Sequence, residues 1–279
     1  MGSISIRRSV QWLPDDPAPS EPTSTVVLTS PGRRFVDIRI LLPGGGGGRV
    51  VTGDELLAAA HRDFGTITTE NLDWAFCGTS ESAPAAGDAP EGTTHSKWHH
   101  LVSDRAPDVS HVTDEGDMAP HPSGDGSVLE TGRMVNPATG RDTAYEEVWV
   151  DGEPQTIPPW MGNVGGGGGG GGGEESRKCV VLEARGEEGP ICGMVVCLGR
   201  FCQGVVRRGQ RFGLERWSSS SSSSAGRWEQ RARLDSGLWI PAREVLERAG
   251  RLEVGDVVAG KSEGVEEEGE VKWTVVEAC

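Results

Sequence analysis

Short β-branched segments bounded by turn residues are the feature that most limits what this chain can fold into. STVVLT (24–29), RRFVDIRILL (33–42), LDWAFCG (72–78), YEEVWVD (145–151), KCVVLEA (178–184), GMVVCLGRFCQGVV (193–206) and VKWTVVEA (271–278) recur with Gly, Pro, Asn or Asp at their borders. Val outnumbers Leu 28 to 16, and branching at Cβ favours the extended backbone. Strands of this length and spacing predict a mainly β protein of antiparallel barrels or sandwiches. RRFVDIRILL alternates, with Phe35, Asp37 and Arg39 on one side and Val36, Ile38 and Ile40 on the other, which predicts a half-buried strand. The turn residues of MVNPATGRD (134–142) predict a hairpin loop. Helical signal is confined to two short stretches. GDELLAAAHRDF is predicted to be capped by Asp54, with Leu56, Leu57 and Ala60 on one face. PAREVLERAG has Pro241 near its start and Gly250 past its end.

Three homopolymer runs interrupt this pattern: Gly44 to Gly48, Gly165 to Gly173 and Ser218 to Ser224. A nine-glycine run behaves as flexible coil and divides the chain into a β-barrel-like domain at 1–160, a Gly-rich linker at 161–177 and a second such domain at 178–279. Each half has a Gly-bearing aromatic strand (DWAFCG, CLGRFCQG) and closes on a Trp-bearing acidic one (EEVWVD, VKWTVVEA), compatible with two copies of one β-fold. The other two runs are expected in low-complexity loops, where insertion costs little.

The net charge of −15 and pI near 4.9 argue against nucleic acid as a partner, which requires a Lys/Arg field. The local cluster Arg200, Arg207, Arg208, Arg211 and Arg216 reads as a solvated strand face. No apolar stretch approaches the ~20 residues of a membrane span, so no membrane insertion is expected. The N-terminus lacks an apolar signal core. Cys192, Cys197 and Cys202 are spaced by five, which on one strand turns neighbours to opposite faces. All six cysteines are therefore expected as reduced thiols packing as small hydrophobes.

Five of the six histidines fall between His95 and His121, but without an HEXXH pattern and among Pro, Gly and Asp. They predict a polar loop, with a metal-dependent enzyme as the remote alternative. The glycine runs lack the Gly-Lys-Ser/Thr ending of a phosphate loop, and no Gly-x-Ser-x-Gly elbow is present. The acidic run EGVEEEGE reads as a solvated hairpin. No catalytic residue, metal or cofactor is expected. Trp74, Trp149 and Trp273 stand in strand-like runs as core residues, or as the wall of a barrel that grips an apolar ligand.

Five motifs occur in a fixed order: LDWAFCGTSE (Trp74, Ala75, Phe76, Gly78, Thr79, Glu81), the ETG of Glu130 to Gly132, the YEEVW of Tyr145 to Trp149, GRFCQG (Gly199, Arg200, Gln203, Gly204) and the WTVVE of Trp273 to Glu277. As a series over residues 72–277 they resemble the fungal Hri family, whose yeast member is named for interaction with a casein kinase I-type kinase. The chain departs from the family's pattern at Phe201, where Trp is expected. The resemblance implies two tandem, loosely calycin-like barrels with no established enzymatic activity or cofactor, located in cytoplasm and nucleus.

The resemblance and the aromatic strands lead to two functional expectations. The first is a non-enzymatic interaction protein with a casein kinase I-type partner. Ser80 and Ser82 beside Glu81, and Ser218 to Ser224, would be phosphorylation positions gaining roughly −2 charge each. The second is a barrel that carries a small apolar ligand, lined by Trp74, Phe76 and Trp149, with Arg200 or Gln203 fixing a polar head group. The family-motif candidates for a binding site are Trp74, Phe76, Gly78, Trp149, Arg200 and Gln203.

Overall fold

The structure, a computed structural model, describes residues 2–44, 54–87, 89–112, 114–160, 177–186, 191–219, 227–262 and 270–279. The strands of the first half are β1 (Ser3–Leu13), β2 (Thr23–Thr29), β3 (Arg34–Leu41), β4 (Gly65–Ile67), β5 (Leu72–Pro84), β6 (Thr94–Ser103), β7 (Glu115–Pro120), β8 (Val128–Val135) and β9 (Asp142–Gly152), with α1 (Asp54–Ala60) before β4. Those of the second half are β10 (Cys179–Arg185), β11 (Ile191–Leu198), β12 (Phe201–Arg208), β13 (Arg211–Ser219), β14 (Trp228–Leu234), β15 (Val257–Gly260) and β16 (Val271–Ala278), with α2 (Ala242–Arg248) before β15.

All strands of the first half except β4 form a closed antiparallel barrel, β9 pairing back on β1. The second half builds an eight-stranded sheet in the order β15-β16-β10-β11-β12-β13-β14-β4. Its last member comes from the first half, with β4 parallel to β14. The chain is thus mainly β, with two short α-helices among the described residues. The predicted hairpin joins β8 to β9, and Gly140 takes its left-handed position (φ 68°). In α1, Leu56 and Ala60 are buried but Leu57 is half exposed, because the buried stripe of so short a helix holds only the i and i+4 positions.

The sheet packs on the outer wall of the barrel. Val26 and Leu28 of β2, Val36, Ile38 and Ile40 of β3, and Ala75 and Cys77 of β5 share one core with Met194, Val196, Leu198 and Val205. Each large apolar side chain among them contributes about 1.5–3 kcal/mol when fully buried. The opposite face of the sheet holds a second core around Trp273, covered by Val245 and Leu246 of α2. Strand β3 is therefore buried on both faces, not one. Its apolar face meets the sheet, while Phe35, Asp37 and Arg39 point into the barrel and are also removed from solvent.

The structure departs from the sequence expectations at three places. The arginines of β12 and β13 are not a solvated face: Arg216 is fully buried and Arg207 is 8 % exposed. Arg216 donates to the Ser24 and Ile38 carbonyls, to Ser24 Oγ, and through Nε to Gln203 Oε1 at 3.0 Å. Arg207 donates to the carbonyls of Ser103 and Asp104. Both satisfy barrel carbonyls that the docked sheet cuts off from water.

Cys197 and Cys202 form a disulfide instead of remaining reduced. Their odd spacing separates faces on one strand, but the β11–β12 hairpin sets them directly opposite one another. Cys77, Cys179, Cys192 and Cys279 are free thiols. Finally, His95, His99 and His100 lie on strand β6 and not in a loop. The runs Gly45 to Gly48, Gly165 to Gly173 and Ser220 to Ser224 and most of EGVEEEGE lie outside the described residues. Ser218 and Ser219 are buried in β13.

Candidate functional site

The barrel is hollow. A cavity of about 650 Å³ occupies its interior, well within the range of small-molecule sites. Period-two alternation on each strand decides what faces it. Strand β3 contributes Phe35, Asp37 and Arg39, β5 contributes Phe76, and β9 contributes Trp149. The rim at the exposed end is polar, with Ser3, Arg33, Ser82, Thr94, His121 and Asp151.

At the inner end lies a network of buried charges. Arg39 donates to Asp37 Oδ2 (2.8 and 3.0 Å) and Glu147 Oε1 (3.1 Å). Its guanidinium lies 5.1 Å from the Trp74 ring, 5.7 Å from Phe76 and 5.9 Å from Trp149. Beneath it Arg7 donates to both carboxylate oxygens of Glu21, to Thr23 Oγ1 and to Glu147. Burial would raise Glu147, but the charges of Arg7 and Arg39 outweigh it and hold its carboxyl below its ordinary value.

Glu130 stands directly opposite Glu147 across the β8–β9 ladder. Its Oε1 accepts from Tyr145 Oη and its Oε2 from Trp149 Nε1, both at 2.8 Å. Burial, and then the Glu147 charge, push it up to about 8. Two facing buried carboxyls are thus driven apart: arginines hold Glu147 low, while burial and the Glu147 charge raise Glu130. Gly132 makes this possible, because a Cβ there would stand 2.5 Å from Tyr145 Oη. Gly132→Ala is expected to push Tyr145 off Glu130 and to lower stability by about 1–3 kcal/mol, read as a lower urea midpoint.

The sequence candidates divide into two groups. Trp74, Phe76 and Trp149 converge on Arg39. Gly78 sits at a β5 bulge, where a Cβ would meet the His99 carbonyl at 1.8 Å, so the close approach of β6 requires glycine. Arg200, in the β11–β12 turn, and Gln203, in β12, belong to the second half and do not line the cavity. Arg200 donates to Gln155 Oε1, and buried Gln203 donates to the Val26 carbonyl at the seam between sheet and barrel. Polar groups of the cavity come instead from Asp37, Arg39, Asp114 and Glu130, none of them singled out as a binding candidate from sequence.

The histidines take separate carboxylates: His95 pairs with Asp117, His99 with Glu81 and His100 with Asp114. No group of three or more His, Cys, Asp or Glu side chains is arranged to hold a metal among the described residues. The His100 side chain is fully buried and stacks on Phe76 at 4.4 Å. Ser80 and Ser82 line the cavity, with Ser82 Oγ 2.8 Å from Ser96 Oγ.

A closed antiparallel barrel enclosing an aromatic hollow with a charged inner end, and backed by a second eight-stranded sheet, defines a hollow-barrel protein. The chain belongs to the HRI1 family, whose model, described as Protein HRI1, matches residues 3–277. Its fold is similar to the crystal structure of the uncharacterized protein YLR301w from Saccharomyces cerevisiae. The TM-score is 0.61 at 19 % identity, over 99 % of this chain and 98 % of that one. No curated protein matches the chain. No helix among the described residues is long and apolar enough to cross a membrane.

Proposed function

We propose that this protein is a non-enzymatic carrier or sensor of a small organic molecule held inside the N-terminal barrel. The observation that carries this reading is the 650 Å³ hollow walled by Phe35, Phe76, Trp98 and Trp149. A barrel of eight strands is just wide enough for side chains to fill it or for one small ligand to sit in it. Here the interior is not filled: Ser3, Ser5, Ser80, Ser82 and Ser96 put small side chains on the wall between the aromatic ones. The association with a casein kinase I-type partner is supported by the family resemblance; the cavity supports ligand carriage more directly.

The test is binding of N-phenyl-1-naphthylamine, an apolar fluorophore that is neutral at pH 7. The wild type is expected to bind it with micromolar affinity and a blue-shifted emission. Val27, half-buried on the cavity wall, is the position to fill. Val27→Trp is expected to weaken binding at least about tenfold with an unchanged far-UV circular dichroism spectrum and a cooperative urea transition. A wild type that gives no enhancement, or a filled variant that binds equally well, would overturn the proposal.

A further inference from the structure

The cavity's own chemistry specifies a class of ligand. Asp37 lines the hollow and is 2 % exposed. Its Oδ2 receives both bonds from Arg39, whereas its Oδ1 is buried with no hydrogen-bond partner. A buried carboxylate oxygen without a donor is costly, and a small rotation of the Asp37 carboxyl toward the hollow would let a ligand N–H satisfy it. The arginines nearby cannot do so. Arg39 is committed to Asp37 and Glu147, and Arg7 to Glu21, Glu147 and Thr23.

Charge points the same way. Arg7 and Arg39 face Glu21, Asp37 and Glu147, leaving this cluster one negative charge in excess. Asp114 adds another carboxylate to the cavity wall, partnered by His100. At the inner end an anionic ligand would find both arginines already neutralised and carboxylates around it; Arg33 stands at the rim, where Asp151 also lies. A cation would find the reverse. The aromatic wall favours it further, because Phe35, Phe76, Trp98 and Trp149 border the hollow, and ring faces attract a desolvated ammonium.

We propose that the ligand of this barrel is an organic cation, a protonated amine on an apolar body, whose ammonium donates to Asp37 Oδ1 while its body packs on Phe35, Trp98 and Trp149. This rests on the ligand-carrying role proposed above and names the chemical class of the ligand.

The experiment is competition for the bound fluorophore at pH 7 by three molecules that differ only in their polar end: 2-(1-naphthyl)ethylamine, 2-(1-naphthyl)ethanol and 1-naphthaleneacetate. The amine is expected to displace the probe at a concentration about tenfold or more below the alcohol, and the acetate is expected to be the weakest. In Asp37→Asn the amine should lose its advantage and the alcohol should compete as before. If the alcohol or the acetate competes as well as the amine in the wild type, the cation assignment is wrong while ligand carriage stands. The cation assignment falls likewise if the probe binds and none of the three displaces it. If the probe itself does not bind, both proposals fall. The wild-type ranking needs no variant, so the assignment stays testable even where Asp37→Asn folds poorly.

Discussion

Arg7→Met is expected to destabilise the protein by about 3–5 kcal/mol, because it strands buried carboxylates without a counter-charge. Arg7 is 3 % exposed, and it satisfies Glu21, Glu147 and Thr23 at once. Methionine fills much of the same volume, so the loss reads the charge and not a hole. Arg39 still reaches Glu147 after the change, but Glu21 retains only the Thr23 hydroxyl and amide. The pH dependence separates this cause from poor packing. Glu147 is held low in the folded wild type, so its contribution is present above its unfolded value and is lost as pH falls through the folded one. In the variant that contribution is largely absent. The gap between the two proteins should therefore be widest near neutral pH and close as the solution is acidified below pH ~4. Urea midpoints at three pH values decide it; a deficit that stays constant with pH would mean that packing, not charge, was lost.

Strands β2, β3, β5, β9, β10, β11, β12 and β16 are legible in the sequence because β-branched runs between turn residues have few other uses; β1, β6, β7 and β14, rich in Ser, His, Gly, Glu and Arg, carry no such run. Their faces are not all legible, for a reason this fold makes plain. In a solid barrel or sandwich the polar face of an alternating strand looks outward. In a hollow barrel that face can line the interior, and Phe35, Asp37 and Arg39 carry the same pattern in either case. Only the presence of Val36, Ile38 and Ile40 beneath a second sheet fixes which it is, and that packing is not written in the strand. The arginines of β12 and β13 hide the same way: Arg207 and Arg216 read as solvated until the barrel carbonyls they satisfy are in view. Trp74, Phe76 and Trp149 are accessible through their motifs. Glu130 stands in the ETG motif without a role, since its meaning depends on cross-strand register. The β8–β9 ladder brings it opposite Glu147 and within reach of Tyr145 and Trp149, and no spacing along the chain reports that. The disulfide escapes a linear reading for the same reason, the partner of Cys197 being set by hairpin register.

Glu130→Gln is expected to stabilise the protein at alkaline pH and to leave it little changed in mild acid. The folded carboxyl is pushed up to about 8 from an ordinary 4.5, first by burial and then by Glu147. Between those values the native state holds a proton that the unfolded chain has released. Stability therefore falls as pH rises through this window, at up to about 1.4 kcal/mol per pH unit from this group alone. Above it, the native state carries a buried second carboxylate facing Glu147. Glutamine removes that burden and keeps the geometry. Its carbonyl accepts from Trp149 Nε1 in place of Oε2, and its amide takes the place of Oε1, where Tyr145 Oη turns from donor to acceptor. The variant's unfolding midpoint should exceed the wild type's at pH 9 by an amount equivalent to about 2 kcal/mol or more, and the two should converge near pH 5. A variant less stable by the same margin at both pH values would show that Glu130 is ionised in the native protein and that its two donors are bound to a carboxylate. The pH trend of the wild type gives a second reading of the same group, because a barrel with a protonated Glu130 must lose stability between pH 5 and 8 more steeply than the Glu130→Gln variant does.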